Sequence, residues 1–149
     1  MRSVCVYKKI VVFCFLFSSA MLYGQYYSGQ RVFQKKFPPE VIDVSQDTYI
    51  QINNSEGDII VAVEDIDSKT VIQHSYIVSN DSYKFKNIPI GSYTCKYMWT
   101  DKNGKKQYSK DNTVMEFKEN EYGGYEITME KTVNGNLTQS NIKEEDFFN

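Results

Sequence analysis

From Val41 onward no apolar i, i+3, i+4, i+7 set persists over three turns; the chain advances in short segments rich in Val, Ile, Tyr, Thr and Phe, parted by Asn, Asp, Gly and Ser. β-branched and aromatic side chains fit a pleated, half-buried surface, and the separating residues tolerate the backbone angles of tight turns. The expectation is an all-β domain without a long helix. Strands are expected at Thr48 to Asn53, Asp58 to Ile66, Thr70 to Val78, Tyr83 to Lys86, Ser92 to Thr100, Thr113 to Lys118 and Gly124 to Thr132, the second and third forming a hairpin. Within Ser92 to Thr100, Tyr93, Cys95, Tyr97 and Trp99 alternate with Thr94, Lys96, Met98 and Thr100, which is the pattern of a half-buried strand. Asp101-Lys102-Asn103-Gly104 predicts a tight hairpin turn, because Asn-Gly accepts positive φ.

About seven short strands predict an antiparallel β-sandwich, since a single sheet would leave one apolar face in water; a small closed barrel meets the same strand count. Residues 25–40, polar and aromatic with Gly29 and Pro38-Pro39, read as an extended lead-in. The sandwich is assigned to residues 41–133. The tail, 134–149, ends in Glu144-Glu145-Asp146-Phe147-Phe148, whose charge predicts exposure and whose phenylalanines predict docking.

Residues 1–24 read as a secretory signal peptide: Arg2, Lys8 and Lys9 precede the apolar run Ile10 to Phe17, and small or weakly polar residues follow. The run is shorter than the roughly 20 residues a membrane-spanning helix needs. Cleavage is expected after Gly24, with Ala20 a competing site. The remaining 125 residues suffice for one core without metal or disulfide support. The leader carries three of the 17 basic residues and none of the 19 acidic ones, so the mature part has a formal charge of −5. That balance excludes a nucleic-acid-binding surface, and contact with a membrane is expected only through the transient leader. Cys5 and Cys14 lie in the leader, leaving Cys95 alone, which predicts a buried thiol and no intramolecular disulfide. Phe13, bulky and within the apolar run, argues against lipid attachment at Cys14.

The stretch Ser82 to Met98, SYKFKNIPIGSYTCKYM, resembles carboxypeptidase-regulatory-like and related transthyretin-like (prealbumin-like) sandwich domains, in which a short aromatic strand leads through N-hydrophobic-P-x-G-x-Y into the next strand. The matching positions are Asn87, Ile88, Pro89, Gly91 and Tyr93. Pro89 offers no ladder donor, Gly91 permits a sharp turn, and Tyr93 can pack back beneath it. Gly57 to Ile77 looks like the first hairpin of such domains. The resemblance implies the fold and is nearly silent on activity, because this sandwich carries many functions. The family includes a purine-pathway hydrolase, whose His and Arg set and C-terminal tetrapeptide this chain lacks. The chain is also similar to short secreted bacterial proteins of unassigned role with Asn-Gly-Asn, here Asn134-Gly135-Asn136, ahead of an acidic double-Phe end.

No residue pattern carries a catalytic signature. His74 is the only histidine, placed by alternation beside Ile72 and Tyr76, and it lacks a second soft ligand. Cys95 has no base partner in the sequence, and no serine sits in a nucleophile elbow. Glu64, Asp65 and Asp67 mark a strand end, and Asp101, Asn103 and Gly104 match only a fragment of a calcium loop, with Lys105 and Lys106 where further oxygen ligands would follow. No catalytic residue, cofactor or metal is therefore expected. Sequons at Asn53, Asn80 and Asn136 mark turn-like exposure. The aromatic side chains carry the binding potential, with 12 Tyr and one Trp. Tyr83, Phe85, Tyr93, Tyr97 and Trp99 are expected inward. Tyr26, Tyr27, Tyr108, Tyr122, Phe147 and Phe148 form the candidate binding surface. The expected function is a non-catalytic binding or accessory module, secreted or periplasmic, at a Gram-negative cell envelope, with an envelope protein or polysaccharide as partner. The alternatives are a carbohydrate-binding module, predicting coplanar exposed aromatics, and a small hydrolase, predicting His74 or Cys95 in a cleft beside a charged partner.

Overall fold

The computed structural model describes residues 25–129 and 139–149; the leader, the end of the predicted last strand and Asn134 to Asn136 lie outside the described residues. Among the described residues, nine strands and one short helix follow in chain order: β1 (Thr48–Asn54), β2 (Ile59–Asp65), β3 (Thr70–Ile77), β4 (Asp81–Lys86), β5 (Gly91–Thr100), β6 (Lys106–Asp111), β7 (Met115–Phe117), β8 (Gly123–Met129), β9 (Gln139–Asn141) and α1 (Glu144–Phe148). A three-stranded sheet, β4-β1-β8, packs on a six-stranded sheet, β3-β2-β5-β6-β9, in which β7 pairs the lower part of β5. The molecule is an all-β sandwich. Every neighbouring pair is antiparallel except β1 with β8, which run parallel from Thr48↔Gly123 to Asn54↔Met129.

The alternation read from the sequence builds the inner layer. Ile50 and Ile52 of β1, Val61 and Val63 of β2, Phe85 of β4, Tyr93, Cys95 and Tyr97 of β5, and Met115 and Phe117 of β7 meet between the sheets, with Trp99, Ile127 and Met129 packed at the margin. Burying side chains of this size stabilises by about 1.5–3 kcal/mol each before chain entropy is counted.

A half-buried β5 is not what the molecule has. Six consecutive residues, Tyr93 to Met98, are buried on both faces of the large sheet. The second layer on that sheet comes from the two ends of the described chain: Val32 and Phe37 of the lead-in and Phe147 of α1 cover Ile60, Ala62, Val71 and Met98. A five-residue helix is far too short to persist alone. The docked Phe147 holds it, together with Lys96, whose Nζ donates to the main-chain oxygens of Asp146 at 2.6 Å and Asn149 at 3.4 Å. Such a cation meets the unpaired carbonyls at a helix C-terminus.

Register explains a second departure. A bulge between Val63 and Glu64 inserts an extra residue in β3, so Ile72 turns into the inter-sheet core while His74 and Tyr76 face the lead-in. Alternation alone had placed all three together. The lead-in also protects the outer edge of β3: Gly29 donates to the Tyr76 carbonyl, Tyr76 donates to that of Gln30, and Val41 donates to that of Ile72. An uncovered edge would present unpaired amides to other chains.

Candidate functional site

The groups with chemical potential are engaged in structure. His74 is buried, its ring stacked on Phe37 with centroids 3.8 Å apart, and its Nε2 donates to the Val32 carbonyl at 2.8 Å. Burial pushes its pKa down to about 4; the hydrogen bond to Val32 opposes this and nearby Arg31 adds to it, so the ring is neutral at pH 7. Cys95 lies fully buried between the sheets, where burial and then Asp111 push the thiol up to about 12. The two face opposite sides of the large sheet, and neither lines the open groove at Asn53 and Asn54.

Glu64, Asp65 and Asp101 are likewise engaged. Glu64 Oε1 accepts from Lys96 Nζ at 3.0 Å with both side chains buried, and Lys110 pairs with Glu64 Oε2. Asp65 accepts from the amides of Asp67 and Ser68 in the β2–β3 turn. Asp101 accepts from the amides of Asn103 and Lys105 and from Gln107 Nε2, so the expected hairpin turn forms and its carboxylate serves that turn. Among the described residues, no three His, Cys, Asp or Glu side chains gather where they could hold a metal ion, and no helix is long and apolar enough to cross a membrane.

The predicted aromatic surface is dispersed. Tyr26 and Tyr27 are exposed near the β3–β4 end, where Tyr26 leans on Tyr76 with the rings 51° apart. Tyr122 is exposed at the opposite end. Tyr108 is half-buried, its ring 5.6 Å from that of Phe147. Phe147 is buried, and Phe148 is half-buried against Phe37, with Lys36 Nζ 4.5 Å from its ring centre. The tail's phenylalanines therefore dock on their own sheet, which takes Phe147 out of any contact surface. The exposed Tyr26 and Tyr27 thus lie at the opposite end of the sandwich from Tyr122. The groove between Asn53, Asn54, Asn80, Asp81 and Thr128, about 380 Å³ and open, has no aromatic wall, and the Asn54 amide is spent on the carbonyls of Gly57 and Val78.

What the fold does bring together lies at the other end of the sandwich. β1 and β8 start there, β4 ends there, and β5 starts there beside the end of β7. The loops between them are tied to one another. Asp43 donates its amide to the Asn87 carbonyl, Asn87 Nδ2 donates to the Gln46 carbonyl, Thr48 Oγ1 donates to that of Ile88, and Gly123 donates to that of Asp47. On this hydrogen-bonded frame Ile42 is 52% exposed, Val44 82%, Ile90 49% and Tyr122 82%, with Val41 at the margin. Asn87 holds φ +56° and Gly91 φ +154°, and the Tyr93 hydroxyl sits 3.0 Å from where a Cβ on Gly91 would lie, which is the back-packing that the N-hydrophobic-P-x-G-x-Y stretch predicted.

Singly exposed apolar side chains are ordinary, whereas four on adjoining loops at one pole form a candidate contact surface. Sequence reasoning found only Tyr122 of these. Ile42, Val44 and Ile90 sit in irregular segments, VIDVSQD and NIPI, and the signal available was apolar residues in loops that turn chemistry does not require. No family model, curated protein or solved structure matches the chain.

Proposed function

We propose that the chain is a non-catalytic binding or accessory module, exported by its N-terminal leader to the periplasm or beyond in a Gram-negative envelope, and that it recognises its partner through the loop pole of Ile42, Val44, Ile90 and Tyr122. The observation that carries this is the exposure of those four side chains on hydrogen-bonded loops, against the burial of both groups that a hydrolase would use. A relationship to transthyretin-like sandwiches goes with the proposal, supported by the turn geometry from Asn87 to Tyr93. Loops held by a sandwich scaffold are a common way to build recognition surfaces.

Site-specific photo-crosslinking in cells tests the reading. A crosslinker at position 44 or 90 is expected to trap a discrete species, and one at position 26 or 102 to trap none. Equal trapping from all four positions would overturn it. Fractionation of the same cells reads the address: the shortened chain is expected outside the cytoplasm.

A further inference from the structure

Charge at the pole narrows what can sit on it. The four loops at that end are residues 41–47, 66–69, 87–90 and 118–122; the second belongs there because Ile66 donates its amide to the Ser92 carbonyl. They carry five acids, Asp43, Asp47, Asp67, Glu119 and Glu121, and two bases, Lys69 and Lys118. Lys118 Nζ already faces Glu116 Oε2 at 3.4 Å. Ser45 bonds the Asp43 carboxylate through both its hydroxyl, at 2.6 Å, and its amide, at 3.0 Å, which orients that charge beside Val44. The loops that carry the apolar side chains thus bear net negative charge, which the exposed Lys86 at the end of β4 lessens without cancelling.

We propose that the pole binds a basic, apolar polypeptide segment, with apolar side chains seated on Ile42, Val44, Ile90 and Tyr122 and Lys or Arg set against Asp43, Asp47, Glu119 and Glu121. This rests on the reading of the pole as the recognition surface. Complementary charge around an apolar centre selects the partner and speeds encounter, while the apolar contact holds it. The same acidic loops repel anionic lipid headgroups and a second copy presenting the same pole.

The test uses isotope-labelled chain and three probes: a short peptide of alternating Lys and Leu, its Glu and Leu counterpart, and phosphatidylglycerol vesicles. Saturable NMR shifts confined to Ile42, Val44, Ile90, Tyr122 and their neighbours are expected with the Lys peptide alone, weakening roughly tenfold in high salt as the charges are screened. A Val44→Ser, Ile90→Ser double variant, which changes only exposed side chains, is expected to lose binding roughly tenfold with an unchanged spectrum elsewhere. If the Glu peptide shifts the pole equally, the partner chemistry is wrong while the pole reading survives; if the double variant binds the Lys peptide as tightly as the parent, the apolar side chains of the pole are not the seat and both readings fall. Vesicle binding without peptide binding overturns the proposal in favour of a lipid surface. Shifts confined to other faces, such as Tyr26 and Tyr27, remove both the chemistry and the pole.

Discussion

At the scale of single residues, His74 couples protonation to folding. In the unfolded chain its pKa is near 6.5. In the folded chain it is held down to about 4, so the unfolded state binds the proton more readily between those values. The stability that neutral His74 contributes is complete above pH 6.5 and is lost as pH falls towards 4, at up to about 1.4 kcal/mol per pH unit. A His74→Leu variant keeps an apolar neighbour for Phe37 and leaves the Val32 carbonyl unpaired, a cost of about 1–3 kcal/mol at pH 7. The distinguishing measurement is the slope. Urea titrations at pH 7, 5.5 and 4.5 are expected to show a steeper decline in the parent than in the variant, and parallel declines would exclude the buried neutral ring.

At the scale of elements, the parallel pairing of β1 and β8 depends on a residue with no side chain. A Cβ at Gly124 would collide with the Tyr49 carbonyl and ring across that pair. Gly124→Ala is expected to cost about 2–4 kcal/mol or to separate β8 from β1, read as loss of amide protection from Gly123 to Met129 while β2 and β5 keep theirs. Of the strands themselves, those rich in apolar and β-branched residues were legible: β1, β2, β3 and β5 lie within one residue of expectation at each end. β6 was not, although the Asp101 to Gly104 turn implied a returning strand. Its sequence, KQYSKD, shows no apolar alternation, and it is a strand because Lys96 to Thr100 of β5 pair with it. The same limit hid the candidate site. Ile42, Ile90 and Tyr122 are far apart in sequence, and only the strand register sets them on neighbouring loops.

At the scale of the whole molecule, the outer layer makes the two ends of the described chain part of one core. Phe37 of the lead-in lies 5.7 Å from Phe147 and 4.9 Å from Phe148, centre to centre, and Lys36 pairs with Glu144 at 3.1 Å. Phe147→Ala is expected to cost about 3–5 kcal/mol, the range for truncating a fully buried aromatic side chain. Phe148→Ala, on a half-buried ring, is expected to cost less. A denaturant midpoint unmoved by Phe147→Ala would rule out the docked tail. A partner lost from a Phe147→Ala, Phe148→Ala double variant would then report a loosened fold as readily as a missing contact, which is why the pole variants are the cleaner probe.

The adjacency of β1 and β8 also sets an order of assembly. Their partners lie about 75 positions apart, from Thr48↔Gly123 to Asn54↔Met129, and closing so long a loop comes late. On a ribosome working from the N-terminus, Ile50 and Ile52 wait beside β4 with one flank open until most of the chain has emerged. Until then the small sheet holds two of its three strands, and the side chains that Ile127 and Met129 help to cover still meet water.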